Sequence, residues 1–241
     1  MTGAEPSPVR DVVDLSHLLE DGMPVYPGDP VVGIRPATTI GDHGYNVLHV
    51  QMGSQTGTHV DSPYHFLEDG ARIDELPLEL FLAPAVVADV RGKPPHAPIT
   101  WADLLPIADR LAAGRMLLLH TGWDAHWGTD AYFDHPFLDG EAAERVVAAG
   151  VRTIGLDALS LDETVPDGEP PGGFAAHLAV LGAGGVIVEN LRGLERLRSP
   201  QPVVSVLPLR LAGADGAPVR AVAFDIPSDL DIASDVVPDR R

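Results

Sequence analysis

Seven short apolar runs, at residues 47–52, 85–90, 116–119, 153–156, 186–188, 203–211 and 219–224, are bounded by turn residues. Runs this short, with such boundaries, read as strands. The last two flank Ala214-Asp215-Gly216-Ala217, and Asp-Gly between two apolar runs predicts a hairpin. Helical pattern fills some of the gaps. Residues 100–113 carry Thr100 as a candidate N-cap, with Pro106 as a break or kink. Residues 140–150 have Glu141 and Glu144 in their first turns and Gly150 as a stop. Residues 174–181 end at Gly182. The expected class is α/β with a mixed sheet. No internal repeat or linker divides the chain, so residues 1–9 are expected as a flexible tail and 10–241 as a single domain. The Pro- and Asp-rich end, 227–241, is expected to lie over the surface.

Composition removes several functional classes. The 241 residues include no Cys, so there is no disulfide framework, cysteine nucleophile or thiolate metal site. Thirty-five acidic residues against 16 basic ones give a net charge of -19, which repels a nucleic-acid backbone. No apolar run approaches the roughly 20 residues of a membrane span, and the N-terminus lacks a signal-peptide pattern. A soluble cytoplasmic protein is expected. No Gly-x-Ser-x-Gly elbow or Gly-x-Gly-x-x-Gly loop occurs, which argues against a serine hydrolase and a nucleotide binder.

Chemically able side chains concentrate at residues 54–65. In an extended segment residues of one parity share a face, and Gln55, His59, Asp61 and His65 all have odd numbers. His59 and Asp61 are one strand repeat apart, about 7 Å, so both can reach one cation. Imidazole with carboxylate suits Zn²⁺ or Mn²⁺. Further ligands must come from elsewhere. His177 lies in an apolar helix pattern and Glu189 ends an apolar strand, where a carboxylate is costly unless paired or metal-bound. Taken singly, His177 reads as a hydrogen-bonded core histidine and Glu189 as a strand end reaching solvent. Asp157 and Asp162 read as caps.

The stretch 55–65, Gln-Thr-Gly-Thr-His-Val-Asp-Ser-Pro-Tyr-His, resembles the hallmark His-x-Gly-Thr-His-x-Asp-x-Pro-x-His of the cyclase family of metal-dependent hydrolases. That family includes bacterial kynurenine formamidases (arylformamidases) and isatin hydrolases. Asp14-Leu15-Ser16-His17, Tyr26-Pro27-Gly28-Asp29, Leu119-His120-Thr121-Gly122-Trp123 and Gly155-Leu156-Asp157 are similar to further family blocks. His177, with Glu189 twelve residues on, resembles the distal ligand pair, and the likeness spans about residues 10–226.

The resemblance implies a domain of the swivelling β/β/α type, assembled as a dimer or tetramer. It also implies Zn²⁺ or Mn²⁺, and hydrolysis of an amide or lactam by a metal-activated water. Carried onto this chain, His59, Asp61 and Glu189 are ligands, His177 is a further ligand or close neighbour, and His65 transfers the proton. The departure is Gln55, where the pattern has His. Three outcomes are open: one metal kept and a second lost, Gln55 ligating a harder ion such as Mn²⁺, or Gln55 binding substrate with the metal site gone. Tyr26, Tyr64, Phe66 and Trp123 are expected to line an apolar slot for a ring-bearing substrate. The expected function is hydrolysis of a small amide, lactam or ester. Its alternatives are a non-catalytic small-molecule-binding protein and a cyclase or dehydratase acting on a polyketide-like intermediate.

Overall fold

The apolar runs at 85–90, 116–119, 153–156 and 186–188 become four neighbouring parallel strands at the centre of a nine-stranded sheet. The computed structural model describes residues 9–165, 170, 172–199 and 201–226; the tail at 1–8 and the end at 227–241 lie outside the described residues. In chain order the strands are β1 (Arg10–Asp14), β2 (Gly33–Thr38), β3 (Val47–Gln51), β4 (His59–Asp61) and β5 (Leu82–Asp89). There follow β6 (Pro98–Ile99), β7 (Met116–His120), β8 (Phe137–Leu138), β9 (Thr153–Leu156) and β10 (Val186–Glu189). The last three are β11 (Val203–Ser205), β12 (Gly216–Pro218) and β13 (Val222–Asp225). The sheet order is β1-β13-β11-β5-β7-β9-β10-β4-β12, and every pairing outside the parallel centre is antiparallel. A mixed α/β fold results, as the strand and helix pattern implies.

Strands β7, β9 and β10 are buried along their whole length. Parallel strands covered on both faces need no polar alternation, which is why these runs are continuously apolar. One core contains Leu117, Ile154 and Ile187 together with helix residues such as Val146 and Val180. The opposite core contains Val60, Leu118, Val186 and Val188. The alternation of Val186, Ile187 and Val188 between the two is the strand period itself.

The helices are α1 (Ile40–His43), α2 (Trp101–Leu104), α3 (Gly140–Ala148) and α4 (Ala175–Gly182). The expected helix at 100–113 is α2 followed by a 3₁₀ segment, Leu105–Arg110. Thr100 and Asp103 form a reciprocal capping box, and Pro106 supplies no amide to donate to the Ala102 carbonyl and continue the α-helix into a second turn. The runs at 203–211 and 219–224 are only partly strand. β11 stops at Ser205, and Pro208 makes a lone bridge to Val219 because it has no N–H to extend the ladder. β11 and β13 do pair, but the chain between them departs to form β12 on the edge of β4. The run at 47–52 forms β3, exposed throughout, in a separate ribbon with β2.

Gly185 sets the close approach of α4 to β10. A Cβ there would sit 2.5 Å from the Arg152 carbonyl oxygen and 2.9 Å from that of Val180. Both are backbone atoms, so overpacking cannot be relieved by a side-chain rotation. Gly185→Ala is therefore expected to lower stability by about 1–3 kcal/mol, read from the urea midpoint at unchanged slope. An unchanged midpoint would show that the turn yields freely.

Candidate metal centre

Antiparallel pairing of β4 with β10 sets His59 directly opposite Glu189, and Ile187 opposite Asp61. His59 and Asp61 face one side of β4, while Val60 between them is fully buried in the other core. Helix α4 contributes His177 from the same side. His59 Nε2 lies 3.2 Å from Asp61 Oδ1 and 3.6 Å from Glu189 Oε2. His177 Nε2 lies 3.7 Å from Asp61 Oδ2 and 3.4 Å from Glu189 Oε1. All four residues are buried, Asp61 being only 1% exposed.

Each imidazole is braced from behind. His59 Nδ1 donates to the Gly57 carbonyl at 2.8 Å, since a carbonyl can only accept. His177 Nδ1 donates to Asp162 Oδ2 at 2.6 Å. Both rings therefore present an Nε2 lone pair to the shared space, the pattern that orients metal-binding histidines. Asp162 also accepts from the Ala176 and His177 amides, 2.9 Å each, so it does cap α4 and serves the site as well. Asp157 binds the Thr121 and Gly122 amides at the end of β7, a capping role. Glu189 Oε1 accepts from the Leu161 amide at 2.7 Å. Asn190, in the left-handed region at φ 56°, joins Tyr132 Oη and the Gly57 carbonyl through its amide.

The donor set fits a divalent cation. Both oxygens of Asp61 are buried without a hydrogen-bond partner. A buried carboxylate in that state is costly, and a cation between the Nε2 atoms and carboxylates removes the cost. Two overlapping groups share Asp61: His59, Asp61 and Glu189, and Asp61, His65 and His177, each with one donor atom per residue within 4.8 Å of the others. Without a cation the carboxylates draw protons instead. Burial would lower His59, but Asp61 and Glu189 raise it to about 9. Burial likewise opposes protonation of His177, yet the carboxylates of Asp162, Asp61 and Glu189 around its ring raise it well above the usual imidazole value.

His65 closes the 3₁₀ turn Pro63–His65, and its ring is held differently. Asp215 Oδ2 lies 3.3 Å from His65 Nδ1 and accepts from Gln55 Nε2 at 2.8 Å. Asp215 Oδ1 accepts from Ser54 Oγ at 2.7 Å, and its backbone carbonyl accepts from the Ser62 amide and hydroxyl. His65 first, then Ser54 and Gln55, hold the Asp215 carboxyl well below the usual carboxylate range. Burial disfavours the charged form of His65, but its bond to Asp215 raises it overall. Gln55 thus commits its amide N–H to Asp215, while its Oε1 is buried without a partner. Gly216, opposite Asp61 on β12, makes room for it; a Cβ there would lie 2.7 Å from the Gln55 amide.

A cavity of about 390 Å³ opens beside this cluster. Tyr26 and Phe66 line it. Tyr64 and Trp123 do not. Tyr64 turns away to pack under the Arg72 guanidinium, 4.1 Å from the ring centroid. Trp123 is buried in the core with Nε1 on the Ala131 carbonyl. Their places are taken by Phe174 and Trp127. Phe66 packs against His65 at 4.8 Å, Phe174 at 5.0 Å and His177 at 4.7 Å between ring centroids. Asp215 was the other residue that sequence reasoning missed: the Asp-Gly signal was read only as a turn.

Residues 13–163 match the family model described as "Putative cyclase". The kynurenine formamidase of Geobacillus thermodenitrificans is 33% identical over 212 residues, covering 87% of this chain and 95% of that protein. That of Maricaulis maris is 31% identical over 218 residues, covering 89% and 98%. Isatin hydrolase A of Labrenzia aggregata shares the fold at a TM-score of 0.81 and 24% identity, with 91% and 95% covered. A solved structure described as a potential metal-dependent hydrolase with cyclase activity gives 0.72 at 27% identity, with 89% and 97% covered. With the family model matched over more than half its length, the chain belongs to the cyclase family.

Proposed function

We propose that the chain is a metal-dependent hydrolase that cleaves an amide, lactam or ester bond in a small ring-bearing substrate. In this reading His59, Asp61, His177 and Glu189 hold one divalent cation, Zn²⁺ or Mn²⁺. The observation that carries it is the Asp61 carboxylate, with both oxygens buried and unpartnered between two Nε2 atoms. The kynurenine formamidase names of its relatives support amide cleavage. When bound, the cation supplies a Lewis acid that polarises a carbonyl and acidifies water.

The chain's own residues do the rest. Asp215 accepts the Nδ1 proton of His65, leaving Nε2 to take a proton from the attacking water and return it to the departing nitrogen or oxygen. Asp215 and Gln55 are positioning residues that act through the His65 ring. Gln55 with its N–H on Asp215 supports a single cation rather than a pair. Phe66, Phe174 and Trp127 form the wall against which a substrate ring would stack and from which water is excluded.

Elemental analysis of untagged protein should find one Zn or Mn per chain, and Asp61→Ala should carry none. Full occupancy in that variant would overturn the ligand assignment. His65→Ala should keep its metal and lose about 10²–10⁴-fold in kcat. Asp215→Asn should also keep its metal and lose about 10–100-fold, in kcat rather than in KM; a change confined to KM would make Asp215 a substrate contact instead. Because ligating imidazoles must be deprotonated, and His59 is raised to about 9 in the metal-free protein, cation binding at neutral pH should release protons. Affinity should weaken as pH falls from about 8 to about 6, and calorimetry in buffers of different ionisation enthalpy reads both effects. A pH-independent affinity without proton release would contradict the site described.

A further inference from the structure

The cavity is one-sided in charge. Among the described residues, those facing it include Asp29 and Glu189 but no Arg or Lys. Asp61 and Asp215 stand immediately behind. A doubly charged cation would be balanced by Asp61 and Glu189, which leaves Asp29 and Asp215 with only His65 to offset them. The wider field has the same sign, since the chain carries a net charge of -19, and such a field turns anions away before contact.

Asp29 is the wall residue not already committed. It sits half-buried at the end of a turn in which its amide donates to the Tyr26 carbonyl at 3.0 Å. Its carboxylate makes no hydrogen bond or ion pair among the described residues. Burial raises this carboxyl, as do Asp215 and Glu189, against the opposing pull of His59 and His65. A half-buried carboxylate with spare acceptor capacity is improved by an incoming N–H or ammonium and worsened by a second carboxylate.

We propose that the cavity selects uncharged or cationic ring-bearing substrates over those carrying a carboxylate, with Asp29 receiving an N–H or ammonium group carried on the substrate ring. This rests on the hydrolase reading above. The aromatic wall supplies affinity for the ring whatever its substituent, so the charge of that substituent is the property discriminated.

The test uses three formanilides that differ only in the para substituent: methyl, aminomethyl and carboxyl. Metal-loaded wild-type protein should favour the methyl and aminomethyl compounds over the carboxyl compound by about 10- to 100-fold in kcat/KM. Asp29→Asn should narrow the aminomethyl-to-carboxyl ratio by about 10-fold. A carboxyl compound turned over as well as the others, or a ratio unmoved in Asp29→Asn, overturns the proposal. Calorimetric binding of the three corresponding anilines separates this from failure of the hydrolase reading. If no formanilide is cleaved, the hydrolase reading falls. The aniline series still decides charge selection: the same order supports it, and equal or undetectable binding of all three defeats it.

Discussion

The register between β4 and β10 is the constraint on which the rest depends. It sets His59 against Glu189 and keeps Val60 in the apolar core. A slip of one residue would turn His59 and Asp61 into that core and present Val60 to the cavity. Burial of Val60, Val186 and Val188 on one face therefore determines what the opposite face can do. The turns on either side hold the same register. Thr58 Oγ1 donates to the Asn190 carbonyl at 2.6 Å, and Asn190 Nδ2 donates to the Gly57 carbonyl at 3.1 Å.

From that frame three imidazoles converge by one device, an acceptor behind each Nδ1. For His59 the acceptor is backbone; for His177 and His65 it is a carboxylate. Asp162 satisfies two orphan amides of α4 with the carboxylate that orients His177, so forming that helix and aiming its ligand are one event. Asp215 does the corresponding work at the other end, tying Ser54, Gln55 and His65 to the edge of the sheet through β12. The substitution at the head of the hallmark motif has a structural partner here. Gln55 is hydrogen-bonded to Asp215 and given room by Gly216.

Much of the site was legible because it is local. Alternation along an extended strand put His59 and Asp61 on one face, whereas Glu189 and His177, each ordinary taken singly, were marked only by the family resemblance. The central parallel strands were equally plain, as continuous apolar runs are what sheets covered on both faces require. The aromatic slot was legible only in part. Tyr26 and Phe66 face the cavity, but Tyr64 and Trp123 leave it for Arg72 and the core. Nothing in local sequence distinguishes a ring that lines a pocket from one that packs beside it. Trp127 and Phe174 enter the wall from segments far from the motif, by folding alone.

The sequence by itself determined which residue types could meet a cation and which runs had to be buried, because side-chain chemistry and strand periodicity are properties of neighbours along the chain. Tertiary structure decided what Gln55, Asp215 and Asp29 touch. Gln55 and Asp215 are 160 positions apart, and their contact exists only because β12 leaves the expected hairpin to pair with β4. The charge of the cavity is likewise a tertiary property. It depends on where the few Arg and Lys side chains end up, and among the described residues none of them faces this space.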